Sequence, residues 1–91
     1  MKTSKIKEIA NILIFIKDIK KMELAEKLSF SYTALNNFLV RNSKMLFNHI
    51  EEIFNALDFP LSEALLLSEQ EHKDKKELIL DILVTMVKEQ Q

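Results

Sequence analysis

Apolar residues recur at helical spacing from the start of this chain. Ile6, Ile9, Ala10, Leu13 and Ile16 form one stripe, and Ile12, Phe15 and Ile19 form a second beside it. This pattern predicts a helix capped by Ser4 and running to about Lys17 or Ile19. Leu24, Ala25 and Leu28 share one face of a short helix over Lys21 to Leu28. Ser29-Phe30-Ser31 breaks the pattern, and Ser31 is placed to cap a third helix from Tyr32 to about Leu39. Leu35, Phe38 and Leu39 give that helix its inward edge, and the polar run Arg41-Asn42-Ser43-Lys44 reads as a loop. A fourth helix, about Met45 to Leu57, carries Leu46, Ile50, Ile53, Phe54 and Leu57. Phe59 precedes Pro60, which disfavours helix there, so a short fifth helix is expected from about Pro60, with Leu61, Ala64, Leu65 and Leu66. Ser68, followed three residues later by Glu71, has the form of a capping box opening a last helix to about Glu89. That helix is polar through Lys76. From Leu78 to Val87 it then has eight apolar residues in ten, more than one buried face requires.

Composition sharpens this picture. In 91 residues there is no Gly and no Cys, and Pro occurs once. Glycine-rich phosphate loops, disulfides, thiolate metal sites and a cysteine nucleophile are thereby excluded, and tight hairpins lose their best turn residue. An all-helical domain is expected. The apolar run Ile12 to Ile16 is five residues long, too short for the ~7–15 of a signal peptide or the ~20 of a membrane span, so the expectation is a cytoplasmic protein with no membrane partner. The net charge of −1 hides an asymmetry. Residues 1–44 carry nine Lys or Arg, Lys2 among them, against four carboxylates, whereas residues 45–91 carry four against ten. A basic half suits a polyanion.

Two short helices around a three-residue turn, then a loop and an amphipathic helix, make a helix-turn-helix order. The segment K-M-E-L-A-E-K-L-S-F-S-Y-T-A-L-N-N-F, Lys21 to Phe38, resembles the Cro/CI-type (lambda-repressor-like) DNA-binding family. Leu24-Ala25 matches the family's Leu-Ala pair. Leu28, Phe30, Leu35 and Phe38 match its core positions, and Ser31 matches the Ser or Thr that opens its recognition helix. Ile53 to Leu66 is similar to its fourth and fifth helices. Where the family has Gln, this chain has Lys21, and Ser29, Asn42 and Asp58 stand near the family's glycines. Asn and Asp are the least costly substitutes at positive φ.

The resemblance implies a five-helix lambda-repressor-like domain over 1–67; the surplus of apolar residues from Leu78 to Val87 makes 68–91 an extra C-terminal helix, expected as a dimerisation element. It also implies a repressor-like regulator that reads the major groove of duplex DNA as a dimer. Ser31, Tyr32, Thr33, Asn36 and Asn37 would approach bases, and Lys21, Arg41, Ser43 and Lys44 would approach phosphates. Asn pairs with adenine and Thr touches the thymine methyl, so an A/T-leaning site is expected. The homodimer would be held through Leu78, Ile79, Ile82, Leu83, Met86 and Val87. His49 and His72 lack converging ligands, and Glu51-Glu52 reads as a solvated face rather than an acid–base pair. No enzyme, cofactor or metal is therefore expected. Two alternatives remain open: an antitoxin whose acidic C-terminal half binds a basic toxin, and a protein-binding adaptor without DNA affinity.

Overall fold

The computed structural model describes residues 3–41 and 43–89. Lys2, and Asn42, expected in a loop, lie outside the described residues. Six helices follow in order, with no strand among the described residues: α1 Thr3–Ile16, α2 Lys21–Glu26, α3 Tyr32–Val40, α4 Phe47–Ala56, α5 Leu61–Glu69 and α6 Lys75–Glu89. The radius of gyration is 12.4 Å, against about 12 Å for a single folded domain of this length. No described helix is long and apolar enough to cross a membrane.

One core collects the inward stripes of all six helices. Ile6, Ile9 and Leu13 of α1 meet Leu24, Leu35 and Phe38, then Ile53 and Phe54, Ala64 and Leu67, and finally Leu78 and Ile82. α6 therefore folds back and packs on α1 and α5. Ser68 and Thr85 enter this core without stranding a hydroxyl, since Ser68 Oγ donates to Leu65 O at 2.7 Å and Thr85 Oγ1 to Asp81 O at 2.9 Å. Both bonds stay on the residue's own helix.

Helix ends show how a chain without glycine turns. Asp18 and Asp58 have φ of 53° and 56°, the left-handed region. After α1, Ile19 N–H donates to Ile14 O and Asp18 N–H to Phe15 O; after α4, Phe59 N–H donates to Phe54 O and Asp58 N–H to Asn55 O. Both are Schellman caps with Asp in the position that usually takes glycine. The second is reinforced by Phe54 and Phe59, whose ring centroids lie 6.3 Å apart. The positive φ expected at Asp58 is present. Ser29 stays out of the left-handed region.

Two expected helix starts are corrected. α1 begins at Thr3, so Ser4 lies inside it and is not its cap. α6 begins at Lys75, and its cap is Asp74, whose Oδ1 accepts from Glu77 N–H at 3.0 Å. Ser68 is buried within α5 and spends its hydroxyl there. Ser31 caps α3 as expected, its Oγ accepting from Ala34 N–H at 3.1 Å.

Candidate nucleic-acid interface

α2 and α3 pack against each other across residues 27–31. The inward side of α3 is Leu35, Phe38 and Leu39, all buried. Thr33, Asn36, Asn37 and Val40, at i, i+3, i+4 and i+7, lie along the opposite side of the helix. Thr33 and Val40 are exposed and the two asparagines half-buried. Tyr32, 43% exposed, stands at the start of this face. Ser31 sits beside it, exposed, with its hydroxyl engaged in the cap.

Lys21 reaches this face from α2. Its Nζ donates to Asn36 Oδ1 at 3.2 Å, joining an expected phosphate-binding cation to an expected base-reading amide. With its oxygen accepting from Lys21, the Asn36 amide still has its NH₂ as a donor for another partner. Arg41, Ser43 and Lys44 follow α3 directly and are exposed. Lys7 of α1 adds a nearby charge, since its Nζ donates to Arg41 O at 2.8 Å. Asn11 fixes the C-terminal end of α3 to α1, its Nδ2 donating to Leu39 O at 3.0 Å and to Lys7 O at 3.1 Å. The groups expected at an interface are thus mounted on a braced helix.

The turn before α3 is held from α4. Glu52 accepts from Ser29 twice, Oε2 from the hydroxyl at 2.7 Å and Oε1 from the backbone N–H at 2.8 Å. The Ser29 hydroxyl, then its N–H, hold the Glu52 carboxyl below the ordinary glutamate range, with a smaller contribution from His49. His49 itself lies against Phe30, ring centroids 4.6 Å apart. Glu52 is therefore a clamp on the α2–α3 turn, where the sequence suggested only a solvated face. Its partner is 23 residues away, and no local pattern marks it. Val40 was also missed, although its spacing from Thr33, Asn36 and Asn37 was legible.

The six side chains expected at a dimer interface divide. Leu78 and Ile82, at 1% and 0% exposure, are packed inside the chain's own core. Ile79 and Met86 lean on that core, while Leu83 and Val87 remain exposed. Leu80 and Val84, absent from the expected six, share the open face with them. His72, for which no converging ligands were expected, has its side chain 4% exposed and its Nε2 2.8 Å from Asp81 Oδ2.

Comparison with known proteins finds no matching family model, no matching curated protein and no matching solved structure.

Proposed function

We propose that this chain is a Cro/CI-type, sequence-specific regulator that binds duplex DNA as a dimer, with α2 and α3 as its helix-turn-helix and α3 in the major groove. The observation that carries this reading is the outward face of α3. Thr33, Asn36 and Asn37 stand there with Lys21 hydrogen-bonded to Asn36, on a helix capped by Ser31 and tied down by Asn11. Small polar side chains on a rigid, convex helix suit reading base edges in a groove, and they suit nothing that needs an enclosed pocket. Thr33, Asn36 and Asn37 contact bases with Tyr32 and Ser31 at the helix start, and Lys21, Arg41, Ser43 and Lys44 hold phosphates. No catalytic step, metal or cofactor belongs to this function, and its place of action is the cytoplasm, where the DNA is.

Selection from random duplexes tests it. An enriched, near-palindromic, A/T-leaning motif is expected, with affinity falling as salt rises because phosphate contacts release counterions. Enrichment of no motif, with no binding at low salt, overturns it. One observation favours the adaptor instead: none of the nine residues of α3 is Lys or Arg, the commonest guanine readers. The same selection separates the two.

A further inference from the structure

α6 is apolar on two opposite sides. Leu78, Ile82 and Thr85 face the core, while Leu80, Leu83, Val84 and Val87 face solvent. The outward four repeat at i, i+3, i+4 and i+7, the spacing of a seam between two helices. Leu80, Val84 and Val87 are 54%, 54% and 58% exposed, a cluster rather than scattered single residues.

The two flanks of this seam differ. On one side run Glu77, Asp81 and Lys88. On the other, Ile79 joins Phe15 and Ile12 of α1 in an open groove of about 620 Å³ that Lys75, Lys7 and Glu8 also line, and Phe15 is 85% exposed. When two helices pair antiparallel about a two-fold axis, each flank meets the same flank of the partner; when they pair parallel, opposite flanks meet. Antiparallel pairing centred between Leu83 and Val84 sets Leu80 against the partner's Val87. It brings Lys88 level with the partner's Ile79, about 3 Å along the axis from both Glu77 and Asp81 at a rise of ~1.5 Å per residue. Opposite charges then meet on one side, and Ile79 and Phe15 of the two copies share the other. Parallel pairing would leave Asp81 against Ile79 and Phe15 of the partner and would part Lys88 from both carboxylates.

We propose that a second copy of this chain covers the outward stripe of α6, antiparallel about a two-fold axis, with Lys88 of each copy seated between Glu77 and Asp81 of the other. This deepens the dimer of the proposed function by fixing its surface and orientation.

Because the chain has no cysteine, single thiols map the pairing without background. Leu83→Cys, next to the axis, should form a disulfide-linked dimer. Leu80→Cys alone should not, since its two copies lie about 10 Å apart along the axis. A mixture of Leu80→Cys and Val87→Cys should give the cross-linked heterodimer. Circular dichroism checks that each variant stays helical, which these exposed positions favour. Lys88→Glu should weaken self-association at least tenfold, and adding Glu77→Lys should recover most of it. Self-linking of Leu80→Cys, no heterodimer from the mixture, or a monomer mass for the full chain at tens of micromolar overturns the pairing. A monomer that still selects a DNA motif overturns the pairing alone; a dimer that selects none overturns the DNA reading alone.

Discussion

The outward faces of α3 and α6 are both open to solvent and are chemical opposites. α3 shows Thr33, Asn36 and Asn37, side chains whose donors and acceptors need a hydrogen-bonding partner to specify anything. α6 shows Leu80, Leu83, Val84 and Val87, which need only to leave water. Both helices bury an inward stripe in the same core, and a polar outward side is what a solvated helix carries anyway, so folding the single chain leaves only the outward face of α6 unexplained. In the proposed function the polar face meets the base edges of duplex DNA, and in the proposed pairing the apolar face meets a second copy.

Substitutions separate the two faces. Leu83→Asp should have the largest effect. Leu83 is 39% exposed in the single chain, so covering it is worth roughly 0.6–1.2 kcal/mol per copy; an aspartate on each side of the axis adds the cost of desolvating two like charges, and dimer affinity should fall a hundredfold or more by sedimentation equilibrium. Its helix content should stay unchanged, because the residue is not part of the core. Asn36→Ala comes next: loss of one base contact costs ~1–3 kcal/mol, read as roughly 5- to 150-fold weaker binding to the selected duplex with relaxed preference at one position. Dimer mass should not change. If it does, the two faces are not independent.

Glu52 gives a smaller effect tied to pH. Its carboxyl is held below the ordinary range in the folded chain, so the Ser29 clamp contributes stability above the unfolded-state value and loses it as pH falls through the folded one. Glu52→Gln should remove that portion of the acid-side loss in urea midpoints measured from pH 7 to pH 3. Smallest is Asp58→Gly. Removing a Cβ from the left-handed region and a negative charge from the C-terminal end of α4 should raise stability by up to about 1 kcal/mol, despite glycine's freer unfolded state.

Element positions were largely legible in the sequence, and their ends and outward sides were less so. Ser31 was identifiable as a cap because a polar residue there stands just before a periodic run. The start of α6 was not, since Ser68 with Glu71 and Asp74 with Glu77 have the same spacing. Only the fold shows that the Ser68 hydroxyl is committed to Leu65 O. Phe15 shares a stripe with Ile12 and Ile19 in sequence, yet Ile12 is buried and Phe15 is not, because α6 packs beside Phe15 without covering it. Eight apolar residues in ten announced that α6 exceeds one face. They did not say that Leu78 and Ile82 would turn inward while Leu80 and Val84 turned out. Of the candidate site, the α3 residues were readable from the cap and helical spacing. The Lys21–Asn36 bond and the Glu52–Ser29 clamp were not, because they join residues 15 and 23 positions apart.

The most direct test of two faces for two partners is a titration of ¹⁵N-labelled protein with the selected duplex, followed by amide shift changes. The largest changes are expected at Tyr32, Thr33, Asn36 and Asn37 and next at Arg41, Ser43 and Lys44, with Leu80, Leu83, Val84 and Val87 unmoved. Changes concentrated on the α6 stripe, or none on α3 at saturating duplex, would contradict the account.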